Sequence, residues 1–95
     1  MSYSLKFKTE VLKEWRGLDT NIRNQFKKKL GERLINPRMP SAKLFGQKDR
    51  YKIKLRSAGF RLVYEVRDAE LIVLVITVGK RDRNAVYKTA AKRQI

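Results

Sequence analysis

Residues 51–61 read Tyr-Lys-Ile-Lys-Leu-Arg-Ser-Ala-Gly-Phe-Arg, an alternation of apolar and cationic residues that fits a β-strand and little else. Successive side chains on a strand point to opposite faces. Tyr51, Ile53 and Leu55 therefore make a core face, and Lys52, Lys54 and Arg56 a wholly positive one. Ser57-Ala58-Gly59 supplies turn residues, and Phe60-Arg61-Leu62 restarts the run. A two-residue loop at 58 and 59 sets Arg56 opposite Arg61 and Lys54 opposite Val63, which brings Arg61 onto the positive face. Like charges facing each other on a sheet are destabilising. At about 5 Å and an effective dielectric of about 20 the repulsion is roughly 3 kcal/mol, less where water screens it. A hairpin that needed only stability has no use for such a row; an anionic ligand relieves it.

The flanking pattern supplies the rest of the sheet. Leu71 to Val78 is apolar except at Thr77, which predicts a central strand covered on both faces. Tyr3, Leu5 and Phe7 alternate with Ser4, Lys6 and Lys8, giving a short first strand. Thr9 is the expected N-cap of a helix whose stripe is Val11, Leu12, Trp15 and Leu18. Asp19 or Thr20 is the expected cap of a second helix, with Ile22, Phe26, Leu30 and Leu34 at every fourth position. Asn36-Pro37 stops it. Arg38 to Arg50 is a connection broken by Pro40 and Gly46, in which Lys43-Leu44-Phe45 either pairs briefly or packs on the core. Asp68-Ala69-Glu70 is a turn, and 84–93 suits a terminal helix carrying Val86, Tyr87 and Ala90. The expected fold is α+β in the order β-α-α-β-β-β-α. It is a small antiparallel-rich sheet with an N-terminal helical hairpin and a C-terminal helix, the helices mostly on one face. Ninety-five residues suffice for one modest core, so one domain over residues 1–95 is expected.

Charge narrows the function. Lys and Arg number 24 against 9 Asp and Glu, a net charge of +15, and such self-repulsion calls for a polyanion. Nucleic acid is the leading partner, an acidic protein a further one. A membrane surface fits poorly, because no lipidation motif or long amphipathic anchor is visible. The chain has no Cys and no His, which removes disulfides, thiolate metal sites, and the commonest general base and metal ligand. The carboxylates form no compact cluster, and nothing matches a two-metal nuclease, a P-loop or a dinucleotide fingerprint. Neither metal nor cofactor is expected. No signal peptide is visible at the N-terminus and the apolar run is too short to span a bilayer, so the cytoplasm is the expected location.

Several cations can converge. Gly79-Lys80-Arg81-Asp82-Arg83 ends the central strand, which a meander places beside the hairpin. Surface strands commonly carry Lys and Arg; convergence from three strand ends sets Lys52, Lys54, Arg56, Arg61 and Arg81 apart as a phosphate site, with Lys80 and Arg83 beside it. Lys27 and Lys28 are either a solvated helix face or a grip on backbone phosphates. Tyr64 is expected in the core, whereas Tyr87 either packs or stacks on a nucleotide base. Glu65 is expected opposite Lys52 as an ion pair. RNA cleavage suits such a site, because RNA brings its own nucleophile, the 2′-OH. A Lys among other cations has a lowered pKa and can act as base, while arginines stabilise the developing charge. The expected products are a 2′,3′-cyclic phosphate and a 5′-hydroxyl.

Lys43-Leu44-x-Gly46, the Tyr51–Arg56 strand, Gly59-Phe60-Arg61-Leu62-Val63-Tyr64, Val78-Gly79-Lys80-Arg81 and Val86-Tyr87, taken in order, resemble the RelE family of bacterial toxin mRNA interferases. Leu12-Lys13-Glu14-Trp15 and the basic second helix fit as well, so the resemblance covers essentially the whole chain. It implies the RelE/ParE-like, microbial-RNase-like fold and cleavage of mRNA in the ribosomal A site. By matching position, it implies that Lys52 and Lys54 include the general base, Arg61 stabilises the transition state, Arg81 is the general acid, and Tyr87 stacks on or orients the substrate base. It implies a RelB-like antitoxin that wraps the toxin and can displace its terminal helix, and repression of operator DNA by the complex only. Two positions depart from relatives. Phe45 stands where some carry a basic residue, so one phosphate contact is expected to be missing. Others use a Glu/His pair, which a His-free chain cannot, so weak activity on free RNA is expected. The competing readings are a non-catalytic ParE-like gyrase inhibitor on the same scaffold and a basic ribosome- or nucleic-acid-binding module.

Overall fold

The computed structural model describes residues 2–82 and 84–93. The chain forms β1 (Ser4–Phe7), α1 (Thr9–Arg16), α2 (Thr20–Ile35), a 3-10 turn (Pro40–Ala42), β2 (Arg50–Leu55), β3 (Phe60–Arg67), β4 (Ile72–Lys80) and α3 (Ala85–Lys92), in the expected order. The strands lie in the order β1-β4-β3-β2. β3 pairs antiparallel with both neighbours, and β1 joins the far edge parallel to β4. No helix among the described residues is long and apolar enough to cross a membrane.

The sheet is covered on both faces, which explains why β4 is apolar at nearly every position. On one face Val11 and Trp15 of α1 and Ile22, Phe26 and Leu30 of α2 pack on Ile53, Leu55, Leu62 and Tyr64. Val63, Ile76 and Leu44 meet Val86 and Ala90 of α3 on the other. Burying side chains such as Phe26 and Leu30, both fully covered, contributes about 1.5–3 kcal/mol each. α1 and α2 touch each other through Trp15 and Phe26, whose ring centroids are 6.4 Å apart.

Several local expectations change. Lys8, in extended backbone, takes the N-cap of α1 and Thr9 is its first helical residue; neither α1 nor α2 has a side-chain cap hydrogen bond. Leu71 closes the turn at φ 54° and is exposed, so β4 opens at Ile72. Between Lys43 and Gly46 the pairing holds and the packing only in part: Lys43 bridges Tyr51 and Leu44 is buried, but Phe45 is 98% exposed and does not join the core.

The hairpin register also differs. Leu55 pairs with Phe60, Lys54 with Arg61, Lys52 with Val63 and Arg50 with Glu65. The loop is therefore residues 56–59, closed by the Gly59 N–H donating to the Leu55 carbonyl at 2.8 Å. Gly59 sits at φ 73°, a conformation that a side chain disfavours, and this lets the longer loop turn. A slip of two residues preserves the pleat, where a slip of one would invert it. The faces are thus as expected while the partners change: Arg61 faces Lys54, Glu65 faces Arg50 instead of Lys52, and Arg56 moves into the turn. A bulge between Val63 and Tyr64 leaves Ile76 as the extra residue of β4. It resets the alternation, so that Val75 and Val78 share one core while Ile76 joins the other. It also puts Gly79 opposite Arg61 and under Val86, whose Cγ2 would stand 3.4 Å from a Cβ there.

Candidate active site

A cavity of about 100 Å³ opens where β2, β3, the end of β4 and the start of α3 meet, lined by Lys54, Arg61, Lys80, Arg81, Asp82, Asn84, Ala85, Val86 and Tyr87. The hairpin turn fixes one wall, because the Arg81 N–H donates to the Gly59 carbonyl at 2.6 Å. Two shallower grooves adjoin it. One, about 240 Å³, is lined by Arg33, Ser41, Ala42, Lys52, Lys54 and Arg56. The other, about 300 Å³, is lined by Gln25, Lys29, Lys54, Leu55, Arg56 and Ser57. Lys54 lines all three and stands at their junction. The three depressions share Lys54 and carry cations along their walls, an arrangement that suits a polyanionic strand.

Ion pairing divides the basic residues. Among the described residues Lys52, Lys54, Arg56, Arg61, Lys80 and Arg81 have no carboxylate within 4.0 Å; the paired carboxylates bind Lys8, Arg38, Arg50, Arg67 and Arg93. Arg61 is the sharpest case. It is 8% exposed, and among the described residues its side chain makes one hydrogen bond, from Nη1 to the Phe60 carbonyl at 3.0 Å. A buried cation without a counter-charge is costly, and Arg61 lines the cavity. Lys54, across the ladder from it, has its pKa lowered. The Lys52 charge contributes most, followed by burial, Arg56 and Arg61. Proximity of like charge leaves more of Lys54 in the neutral, proton-accepting form than an ordinary lysine has.

Tyr87 is half-buried, its hydroxyl is enclosed yet has no hydrogen-bond partner among the described residues, and Lys52 Nζ lies 6.0 Å from its ring centroid, the outer limit of a cation–π contact. An enclosed phenol without a partner costs about 1–3 kcal/mol, which a polar ligand group can recover. Tyr64, by contrast, is fully buried; its hydroxyl donates to the Pro37 carbonyl at 2.6 Å and accepts from Arg33 Nη1 at 2.8 Å.

Of the residues picked from sequence, Lys54, Arg61, Lys80, Arg81 and Tyr87 surround the cavity, and Lys52 and Arg56 line the adjoining grooves. Arg83 lies outside the described residues. Lys27 and Lys28 are exposed on α2 and line none of the three depressions; Lys29 and Arg33 do. The spacing held the signal, since residues at i and i+4 share a helix face. Asp82 and Asn84 are further lining residues that the cation pattern did not flag. Among the described residues no group of three His, Cys, Asp or Glu comes together to hold a metal.

The sheet and its unpaired cations define a class: a small basic protein with a cationic cleft of the kind that suits a phosphate. The family model described as the ParE toxin of type II toxin-antitoxin system, parDE, matches residues 5–85. The chain belongs to this RelE/ParE family of toxins. Its similarity is strong to the RelE members. The mRNA interferase toxin RelE of Escherichia coli (strain K12) is 55% identical over 93 residues, 98% of each chain. A doubly arginine-to-alanine-substituted E. coli toxin RelE, in the free state, superimposes over all of both chains with a TM-score of 0.91 and 52% identity. The toxin of the intact E. coli RelBE toxin-antitoxin complex gives a TM-score of 0.82 at 54% identity, over 86% of this chain and 100% of that one.

Proposed function

We propose that the chain is a ribosome-dependent endoribonuclease toxin that cuts mRNA in the ribosomal A site and so arrests translation and growth. The observation that carries this is the set of unpaired cations, Lys54, Arg61 and Arg81, around one cavity beside Tyr87. Similarity across 98% of an mRNA interferase toxin supports the same reading, which places its action in the cytoplasm. Lys54 takes the proton of the 2′-OH, a role its lowered pKa supports, and Lys52 supplies the charge that lowers it. The 2′ oxygen bonds to phosphorus, Arg61 stabilises the added negative charge, the P–O5′ bond breaks, and Arg81 as general acid gives the leaving oxygen its proton. Tyr87 orients the base. Lys80, Arg56, Lys29 and Arg33 hold neighbouring phosphates. The channel is open, so the ribosome, through its small subunit, supplies the alignment that a closed pocket otherwise provides. The partner is a RelB-like antitoxin, as in the E. coli complex, and the pair represses its own operator DNA.

The test is brief induction followed by mapping of mRNA 5′ ends against the reading frame. Cuts within A-site codons that vanish in Arg81→Ala and Lys54→Ala support the reading. DNA-damage signalling without mRNA cuts would instead point to gyrase inhibition, the activity associated with ParE-like members, and tolerated overexpression to a plain binding module.

A further inference from the structure

α3 carries Tyr87 in its first turn, and a buried arginine outside the cleft grips its other end. Arg50, the first residue of β2, is 6% exposed. Its Nε donates to Glu65 Oε1 at 3.0 Å and its Nη1 to Gln47 Oε1 at 3.2 Å and to the Ala90 carbonyl; Nη2 donates to the Arg93 carbonyl at 2.5 Å. Glu65 is steadied in turn by Arg67 Nε at 2.9 Å. Gln47 Nε2 reaches the Tyr87 carbonyl at 3.5 Å. The last carbonyls of a helix have no intrahelical donors and carry the negative end of its dipole; one guanidinium answers both. A second grip comes from Arg93, which donates to both Glu14 oxygens on α1, at 2.9 and 2.8 Å, and to the Ile76 carbonyl at 2.9 Å. That carbonyl lies just past the stretch of β4 that β1 covers. α3 has eight residues and buries only Val86 and Ala90, too little to hold a helix by itself.

We propose that Arg50 is a positioning residue for Tyr87: by clamping the carboxy end of α3 to the sheet it sets where Tyr87 stands relative to Lys54, Arg61 and Arg81. This rests on the cleft being the RNA-cleaving site with Tyr87 orienting the base. Arg50 lines none of the three depressions, so its effect travels through α3. Lysine at this position keeps the charge but lacks the planar fork that bridges carboxylate, amide and two carbonyls together.

The experiment is single-turnover cleavage of ribosome-bound mRNA by wild type, Arg50→Lys, Arg50→Ala, Tyr87→Ala and the Arg50→Ala/Tyr87→Ala double variant, with amide hydrogen exchange on each free chain. Arg50→Ala is expected to slow cleavage by about 10–100-fold, the cost of a misplacement near 1 Å, with Arg50→Lys in between. The double variant is expected to be no slower than Tyr87→Ala. α3 amides are expected to exchange at least about tenfold faster while β3 and β4 keep their protection. Multiplying effects in the double variant, wild-type cleavage by Arg50→Ala, or loss of sheet protection together with α3 each overturn the proposal. Should wild type leave ribosomal mRNA uncut, the functional reading falls and the exchange arm still decides the clamp, which unchanged α3 protection in Arg50→Ala overturns.

Discussion

Arg61→Met separates a functional cation from a structural one. Arg61 is 8% exposed, stands across the ladder from Lys54, and its side chain makes a single hydrogen bond among the described residues, to the carbonyl of Phe60. Methionine fills a similar volume. The variant loses that bond, about 0.5–1.5 kcal/mol. It also loses the repulsion from Lys54, which for charges about 7 Å apart at an effective dielectric of about 20 is roughly 2 kcal/mol, reduced by water in the open channel. Replacing a buried ionic group by an apolar one adds to the gain, commonly 1–4 kcal/mol for whole buried ion pairs. The net expectation is a chain more stable by about 1–3 kcal/mol. At about 4–8 °C per kcal/mol for a domain of this size, the melting temperature rises by about 5–20 °C. Thermal and urea unfolding at about 0.05 M and about 0.5 M salt would measure it, and the gain should shrink at the higher salt because part of the repulsion is already screened there. The same variant should lose at least about 10²-fold in mRNA cleavage. A variant less stable than wild type at both salts refutes the reasoning, since Arg61 would then be holding the sheet together.

Two further predictions concern the same wall of the cleft. In the proposed mechanism the neutral form of Lys54 is the base, so cleavage should rise with pH through its lowered pKa; Lys52→Gln removes the largest cause of that lowering and should move the rising limb to higher pH, while Lys54→Arg should abolish it. The linked stability effect has a definite sign: because the folded pKa lies below the unfolded one, the unfolded chain binds more protons between the two values and stability increases with pH across that window. Lys52→Gln should flatten the increase, and an unchanged pH–rate profile would sink the assignment of Lys54. Gly59→Ala forces a side chain onto a residue at φ 73° and should cost about 1–2 kcal/mol in urea unfolding, with reduced cleavage because the Gly59 carbonyl anchors Arg81; a wild-type midpoint would mean that the turn relaxes freely.

Alternation at Tyr51–Leu55 and the four-residue spacing of Ile22, Phe26 and Leu30 were enough to read the faces of β2 and α2, because those periods are set by backbone geometry alone. The register of the hairpin was not readable. Loops of two and of four residues preserve the same pleat parity, and only the left-handed backbone at Gly59 with its bond to Leu55 selects the longer one. The bulge that moves Val78 and Gly79 across the sheet left no trace in a run of uniformly apolar residues. Nor did the position of α3 on the opposite face from α1 and α2, since Val86 and Ala90 could serve either side.

The cleft was harder still, because its identity lies in what its cations lack. Arg50 and Arg93 look no different in sequence from Arg61 and Arg81. Arg50 finds Glu65 fifteen positions away and Arg93 finds Glu14 seventy-nine positions away, so only the fold assigns a carboxylate to some arginines and none to others. Most of the paired carboxylates lie away from the channel: Asp49, Glu65, Asp68 and Glu70 cluster around the turn at the far end of the hairpin, and Glu14 is bound to Arg93 at the end of α3; Asp82 alone of the described acidic residues lines the cavity. A net charge of +15 spread evenly would attract any polyanion weakly. Here ion pairs hold Arg38, Arg50, Arg67 and Arg93 on the scaffold, and the cations around Lys54 are left without one; in the proposed mechanism they both lower the proton affinity of the base and stabilise the phosphate that it helps to attack. The same cations therefore do two jobs, so removing Lys52 should slow cleavage even without any contact between Lys52 and the scissile phosphate.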